Sequence, residues 1–346
     1  MEDKEKILGK GFKALRPKSK YSDDVIAPPY DVLNSEEARD LAKGKPYSFL
    51  HISKPEIDLP EDIQADDPRV YEKGLENLNK MINEHILIRD DKETLFIYKI
   101  TTTNHDQTGI AFVASIDAYE GNLIKKHEHT KPVKELDRIN NMKALNAQTG
   151  PVLLTYLDNI QLDKIINKYT IENQPIYDVN TREEINHRIW QITDINEINK
   201  ATNALNKLES LYIADGHHRS AAASQVRKSR MNDNSEHDGS ENYNHFLAVA
   251  FPKSEMKILD YNRLIKHTNG KSTNELIKMI EVHFKCTPSD KPVKPIADKS
   301  FGMFTDGQWF NLELISELNT NSPVDSLDIS ILHDFILDPI LGIEDE

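Results

Sequence analysis

The feature that most constrains the fold of this chain is an apolar strand followed directly by a polar turn and a helix. Leu211-Tyr212-Ile213-Ala214 has the composition of a buried strand, and Ser220–Arg227 begins a helix. The turn between them is Asp215-Gly216-His217-His218-Arg219. Packing does not require so many polar residues at a strand–helix junction, so the turn predicts a functional site. An ordinary turn with Asp215 as the helix N-cap is the alternative.

The residues of this turn have the chemistry of a phosphate site. A helix N-terminus presents free N–H groups and the positive end of the helix dipole to an anion. Gly216 lets the backbone approach a ligand closely, and the planar guanidinium of Arg219 matches phosphate. His217 and His218 supply donors that titrate near neutral pH. Asp215 can hold a divalent cation or orient a histidine.

Two further segments are candidates for the same site. Ala27-Pro28-Pro29-Tyr30-Asp31-Val32 is a rigid loop because its prolines fix φ, and it can hold the Asp31 carboxylate at a pocket mouth as a general base. A purely structural turn is the alternative. A helix predicted near 135–147 is preceded by Lys126-His127-Glu128-His129-Thr130 and contains Asp137-Arg138. These residues can contact phosphate or a metal, or they form a solvated charged loop.

The remaining pattern predicts an α+β, or mixed α/β, fold rather than a doubly wound one. Strands and helices alternate irregularly, and neither the G-x-G-x-x-G nor the Walker motif occurs. Because 346 residues exceed the size of a usual single core, we expect one composite unit over 1–346 with approximate lobes. The lobes are 1–158, 159–252, which carries the Asp-Gly-His-His-Arg turn, and 253–346. A polar insertion at 229–244 predicts a mobile loop.

Periodicity and composition also predict individual elements. Helices are predicted near 68–86, 160–169 and 273–284, and strands at 95–100, 109–116, 151–156, 245–251 and 300–314.

The charge and the cysteine content exclude several classes of protein. A net charge of −14 disfavours nucleic acid as a partner, because nucleic-acid binding needs a basic surface. The single cysteine, Cys286, permits no intrachain disulfide and no cysteine-based zinc site. No secretory signal or apolar run of membrane-spanning length is present. We expect a cytoplasmic protein that is not bound to a membrane.

The motifs together resemble a known family. Ala27–Val32, His127-Glu128-x-Thr130 with Asp137-Arg138, and Ala214–Arg219 occur in this order, and the segments Pro46-Tyr47-Ser48-Phe49-Leu50-His51 and Pro55-Glu56-Ile57-Asp58 match the same pattern. On this basis the chain looks like a member of a widespread bacterial and archaeal family labelled as a domain of unknown function. The resemblance covers roughly residues 8–340.

The Asp-Gly-His-His-Arg element of that family is similar to the one in the archaeal ADP-dependent free-serine kinase, which belongs to the ParB/sulfiredoxin-like superfamily. The resemblance implies a ParB/sulfiredoxin-like nucleotide-binding core and phosphoryl transfer between a nucleotide and serine or phosphoserine. The expected nucleotide is ADP, ATP or AMP, and the expected cofactor is Mg²⁺. A phosphoserine phosphatase with the same site, and a nucleotide-binding regulatory module without turnover, are the alternatives.

The expected site residues fall into two groups. The catalytic group is Asp31, Asp215, His217 and His218. The phosphate or nucleotide contacts are Gly216, Arg219, His127, Glu128, Thr130, Asp137 and Arg138.

Overall fold

The computed structural model describes residues 6–181, 184–318 and 322–344. The chain divides into two compact units, Met1–Ile258 and Leu259–Glu346. The first two predicted lobes, 1–158 and 159–252, are therefore one unit, because a single sheet contains strands from both. The second unit begins six residues later than the third predicted lobe.

The strands of the first unit form one large sheet and one small ribbon. They are β1 (Gly9–Lys10), β2 (Leu15–Pro17), β3 (Leu87–Arg89), β4 (Leu95–Thr102), β5 (His105–Ser115), β6 (Ile124–Lys125), β7 (Val152–Tyr156), β8 (Tyr177–Asn180), β9 (Asn186–Ile192), β10 (Leu211–Asp215) and β11 (His245–Pro252). In the part of the chain that the structure describes, nine strands form a sheet in the order β6-β10-β7-β11-β5-β4-β9-β8, with β1 also beside β5. Strands β2 and β3 pair separately.

The large sheet is mixed. Strand β10 runs parallel to β6 and antiparallel to β7, and β7 runs parallel to β11. The other neighbours in this sheet are antiparallel. The mixed α/β class predicted from the sequence is confirmed. The ParB/sulfiredoxin-like core stays a prediction.

Local capping residues set where several helices of the first unit begin. The Asn34 side chain accepts a hydrogen bond from the Glu37 N–H, while the Glu37 carboxylate accepts one from the Asn34 N–H, at 2.9 Å each. Asp67 and Asp194 are also N-caps, because their side chains accept hydrogen bonds from backbone N–H groups in the first turn of their helices. The helices are α1 (Ser22–Val25), α2 (Ser35–Ala42), α3 (Leu50–Ser53), α4 (Pro68–Asn83), α5 (Ile116–Glu120), α6 (Pro132–Leu145), α7 (Ile160–Glu172), α8 (Ile195–Asn206) and α9 (His217–Asp233).

The core of the first unit is built from alternating side chains of its central strands. In β7, Val152, Leu154 and Tyr156 are buried, whereas the residues between them are half-buried. Phe112 of β5 and Phe246 of β11 are buried in the same cluster. Replacing one such buried phenylalanine with alanine lowers the free energy of unfolding by about 3 to 5 kcal/mol. This packing therefore holds the strands, and with them the strand ends, in place.

The second unit has its own small core. Helix α10 (Thr273–Ile280) begins at a capping box of Ser272 and Glu275. Leu276 and Ile280 of this helix pack with Phe284 and Leu312 of the sheet. The other elements of this unit are β12 (Phe284–Ser289), β13 (Ser300–Thr305), β14 (Gln308–Leu314), α11 (Asp328–Leu332) and the π-helical turn His333–Leu337. The three strands form a sheet in the order β12-β14-β13.

Helix α9 differs from its prediction at both ends. It begins at His217 rather than at Ser220, and it continues to Asp233, so the first five residues of the loop predicted at 229–244 are helical. Beyond the helix, the Asn234 amide donates to Glu241 at 3.2 Å and to the Tyr243 hydroxyl at 3.0 Å. Polar residues of this segment therefore form local hydrogen bonds with one another. That it is mobile stays a prediction.

None of the helices within residues 6–181, 184–318 and 322–344 is both long enough and apolar enough to cross a bilayer.

His245, at the start of β11, predicts a loss of stability in acid. Burial is the main cause that lowers its pKa to about 4 from 6.5, and its Nδ1 has no hydrogen-bond partner among the described residues. Below about pH 6.5 this histidine binds a proton in the unfolded chain, whereas in the folded chain it stays neutral until the pH falls to about 4. We therefore expect this histidine to lower the free energy of unfolding across that window, by roughly 3 kcal/mol in all, with no effect above it.

The measurement is urea unfolding of the His245→Gln variant between pH 4 and 7. In a Trp309→Phe background, the fluorescence of Trp190, which is buried in β9, reports the first unit. The variant should lose less stability on acidification than the parent. The exposed His129→Gln change is the matched control. Equal acid sensitivity of parent and His245→Gln would contradict the assignment.

Candidate functional site

The predicted polar segments meet at one edge of the large sheet. Strand β10 ends at Asp215, and α9 starts two residues later. Because β6 runs parallel to β10, its carboxyl end, which continues into Lys126-His127-Glu128, lies at the same edge. Because β7 runs antiparallel to β10, its beginning, at Gly150-Pro151, lies there as well. Strand direction alone brings together segments that are distant in the sequence.

Gly216 makes the sharp connection between β10 and α9. Its φ of 101° and ψ of 29° lie in a left-handed region that side chains disfavour. A Cβ atom here would lie 3.3 Å from the Arg219 guanidinium and 3.3 Å from the Val152 backbone. Gly216, not Asp215, is the N-cap, and no described side chain caps the helix. The alternative of an ordinary turn capped by Asp215 is therefore wrong, and the first N–H groups of α9 have no side-chain acceptor among the described residues.

Arg219 lies in the first turn of α9 and connects three segments. Its side chain is 13% exposed, and its two terminal nitrogens donate to the Pro151 carbonyl and to the Asp215 carboxylate. Asp31 Oδ2 lies 3.6 Å from the same nitrogen that bonds Asp215. The Asp215 and Asp31 side chains are 63% and 41% exposed. A ligand arriving from solvent therefore meets these carboxylates first and can replace them on the guanidinium.

Arg138 supplies a second guanidinium beside the first, on α6, which packs against α9. Its Cζ lies 4.1 Å from the centre of the Tyr30 ring, a cation–π contact. Its Nε donates to Asp137 Oδ2 at 2.9 Å, and Asp137 also accepts from the Tyr71 hydroxyl at 2.8 Å. Burial and this hydrogen bond raise the pKa of Tyr71 to about 12, so its proton stays in place at neutral pH. Burial likewise raises the pKa of Tyr30.

The two arginines line one small cavity, called here the arginine cavity. Its volume is about 10 Å³, which holds about one water. Asn141 lies one helical turn after Arg138 on α6, and its side chain also reaches the cavity. Asn141 is 5% exposed and makes no side-chain hydrogen bond with another described residue, so its amide is available to a ligand. The cavity is lined by Tyr30, Arg138, Asn141, Met142, Thr149, Gly150 and Arg219.

A pair of histidines lies next to this cavity at the same sheet edge. The rings of His127 and His217 are 4.4 Å apart, edge to face. The His127 backbone N–H donates to His217 Nε2 at 3.4 Å, which leaves the proton of a neutral His217 on Nδ1, 3.3 Å from Glu128 Oε2. Burial is the main cause that lowers the pKa of His217. His217 is therefore a neutral donor oriented by Glu128, at neutral pH.

Two expected site residues are placed differently. The Thr130 hydroxyl donates to Glu135 at 2.9 Å in the first turn of α6, so it is committed to the helix start. His218 Nδ1 is buried without a hydrogen-bond partner among the described residues, and His218 does not line the arginine cavity.

The structure brings together most of the residues singled out in the sequence. Arg138 and Arg219 line the arginine cavity, and Asp31, Asp137, Asp215 and Gly216 lie next to their side chains. His127 and His217 form the adjacent pair, with Glu128 beside His217. Sequence reasoning did not assign a role to Tyr30, Asn141 or the Thr149-Gly150 segment. Asn141 is detectable in retrospect, because it follows Arg138 at helical spacing on a predicted helix. Thr149-Gly150 carries no such local signal.

The described residues contain no group of three or more His, Cys, Asp or Glu side chains arranged to hold a metal ion. Two carboxylates, Asp31 and Asp215, do converge on Arg219. Mg²⁺ in proteins is commonly held by one or two carboxylates together with substrate phosphates and water. The donor set therefore fits Mg²⁺ only when a ligand supplies further oxygens.

The arrangement is suited to binding a phosphate group. The guanidiniums of Arg138 and Arg219 and the amide of Asn141 line one small space, and Arg219 lies in the first turn of a 17-residue helix. Two arginines face three carboxylates, Asp31, Asp137 and Asp215, so the arginines are compensated while the site is free of ligand. A phosphate that carries its own divalent cation replaces the exposed carboxylates without a net charge penalty.

Comparison with known proteins identifies the family to which the chain belongs. A family model described as "Protein of unknown function (DUF1015)" matches residues 10–330. No curated protein and no solved structure matches the chain.

Proposed function

We propose that this chain, which belongs to the DUF1015 family of proteins of unknown function, transfers a phosphoryl group between a nucleotide and the hydroxyl of a small metabolite. Serine, with O-phosphoserine as the phosphorylated form, is the proposed metabolite, as the resemblance to the free-serine kinase implies. The observation that carries the proposal is the pair of arginines, Arg138 and Arg219, on one cavity at the N-terminus of α9.

Charge neutralisation and positioning are what phosphoryl transfer demands of a protein. Arg219 and Arg138 bind oxygens of the transferring group, and the Asn141 amide donates a further hydrogen bond. The free N–H groups at the start of α9 face the same charge. Each of these groups lies on a helix rather than on a loop, which fixes its direction before the substrate arrives.

Asp31 is the proposed general base. It approaches Arg219 at 3.6 Å, more loosely than Asp215 does, and its side chain is 41% exposed, so a substrate hydroxyl can reach it. In the forward direction, the bond between phosphorus and the serine oxygen forms as the bond to the nucleotide's bridging oxygen breaks. The hydroxyl proton passes to Asp31. The displaced nucleotide leaves with the electron pair of the broken bond.

His217 and Glu128 act beside the transferring group. A neutral His217 whose Nδ1 proton is directed at Glu128 presents a fixed ring edge next to Asp215. Mg²⁺ would neutralise nucleotide phosphate charge, and Asp215 would hold it while Asp31 stays free to accept the proton. ADP, ATP or AMP is the proposed nucleotide, as donor or acceptor.

Phosphorus NMR of the purified protein with Mg²⁺ and O-phosphoserine, with and without AMP or ADP, tests the proposal. We expect the phosphoserine signal to fall only when nucleotide is present, with a matching new nucleotide phosphate signal. Inorganic phosphate released without nucleotide would identify a phosphatase instead. A spectrum unchanged in every tube would exclude serine as the metabolite. Screening other phosphorylated metabolites against loss of signal in the Arg219→Ala variant would then test the phosphoryl chemistry itself.

A further inference from the structure

A second cavity lies in the first unit, between α4 and the segment that carries α3. Its volume is about 360 Å³, large enough for a small organic molecule, whereas the arginine cavity holds about one water. It is called here the lysine pocket. None of the proposed phosphoryl-transfer residues lines it. It is lined by Pro46, His51, Asp58, Lys73, Asn77, Lys80 and Met81.

One face of α4 forms a wall of this pocket. Lys73, Asn77 and Lys80 recur at helical spacing and point to the same side, together with Met81, while Leu78 packs into the core. The other wall comes from two segments that the sequence singled out and the proposed function does not use. Pro46 and His51 belong to the first segment, and Asp58 ends the second.

The polar groups of the pocket are fixed in place by a hydrogen-bond network. His51 Nδ1 lies 2.9 Å from both oxygens of Asp58, and His51 Nε2 lies 3.1 Å from the Lys45 carbonyl. Because both partners only accept, His51 donates from both nitrogens and is an imidazolium. The hydrogen bond to Asp58 is the main cause that raises the pKa of His51. The Asn77 amide donates to Asp58 and to the His51 carbonyl at 2.7 Å each.

The charge that remains in the pocket is positive. Asp58 is matched by His51, and Lys73 lies 3.1 Å from the exposed Glu76. Lys80 is exposed and makes no ion pair with a described residue. An uncompensated lysine in a concave, preorganised pocket of a chain with a net charge of −14 favours an anion.

We propose that the lysine pocket binds a small organic anion through its phosphate or carboxylate group, at a site separate from the arginine cavity. Lys80 and Lys73 contact the oxyanion, and the His51–Asp58–Asn77 network sets the shape of the wall that holds the rest of the molecule. A network needed only to join α3 to α4 would require neither the open volume nor the unpaired lysine. This inference does not rest on the proposed function.

Methionine methyl NMR distinguishes the two sites in one spectrum. The chain has seven methionines, of which Met81 lines the lysine pocket and Met142 lines the arginine cavity. The protein is labelled at the methionine methyl carbons, and the two signals are assigned with Met81→Leu and Met142→Leu. Inorganic phosphate and succinate are titrated separately, so that a phosphate site and a carboxylate site give different results.

The Met81 signal should shift and saturate with at least one of the two anions. Lys80→Gln should weaken that binding about tenfold, because it removes a charge-assisted hydrogen bond. The matched control is Lys164→Gln, which removes the charge of an exposed lysine on α7. A Met81 signal that neither anion moves, or one that moves equally in Lys80→Gln and in the control, would overturn the proposal. A shift of Met142 alone would overturn it while leaving the proposed function standing.

Discussion

The Arg219→Ala variant should transfer phosphoryl groups about a thousandfold more slowly than the parent protein. The side chain contacts Asp31, Asp215 and the Pro151 carbonyl, and it lines the arginine cavity, so no neighbouring residue can take its place. Its loss removes one of the two guanidiniums that line the cavity among the described residues. The rate is measured by phosphorus NMR from the conversion of phosphoserine and nucleotide.

Three comparisons separate this effect from a loss of folding. Arg230→Ala, on the same helix and without an ion pair to a described residue, should retain the parent rate. Arg219→Lys should recover only a small part of the activity, because lysine keeps the charge and loses the planar fork. Near-ultraviolet circular dichroism reports whether each variant is folded. A folded Arg219→Ala variant with the parent rate would refute the proposed role of the arginine cavity.

The second large effect is expected at Gly216, where alanine should reduce both stability and activity. With φ at 101°, alanine imposes about 1 to 3 kcal/mol of backbone strain on the folded state. Its Cβ would also lie 3.3 Å from the Arg219 guanidinium, so relief of the contact displaces that side chain. Urea unfolding followed by Trp190 fluorescence measures the loss of stability, and the rate of phosphoryl transfer measures the displacement.

Gly239→Ala is the matched control for Gly216→Ala. Gly239 also has a positive φ, 92°, but a Cβ atom there would meet nothing within 4 Å. It should show a strain cost and no loss of activity. If the two variants lose activity to the same extent, the close approach of Gly216 to Arg219 is not what matters.

The parts of the fold that depend on local patterns are predictable from the sequence. The helix expected near 68–86 is Pro68–Asn83, and the one expected near 160–169 is Ile160–Glu172, because their apolar residues recur at helical spacing. The start of α9 was not predictable in this way. A glycine serves as its N-cap, and the polar first turn has the composition of a loop.

The assembly of the site depends on strand pairing, which no local pattern encodes. Strand β6 has two residues, too few for an alternation signal, yet its parallel pairing with β10 places His127 beside His217. The contact of Arg219 with Pro151 follows from the antiparallel pairing of β7 with β10. Residue types indicate which side chains are suited to phosphate, whereas the topology determines which of them come together at this edge of the sheet.

The position of β11 determines when the large sheet can be completed during synthesis. Among the described strands, β11 alone pairs with both β7 and β5, so it joins the β6-β10-β7 part of the sheet to the β5-β4-β9-β8 part. It is also the last strand of its sheet to be translated, ending at Pro252. A nascent chain that stops before β11 therefore leaves two open sheet edges that are prone to mispairing. Completion of the sheet has to wait until β11 leaves the ribosome.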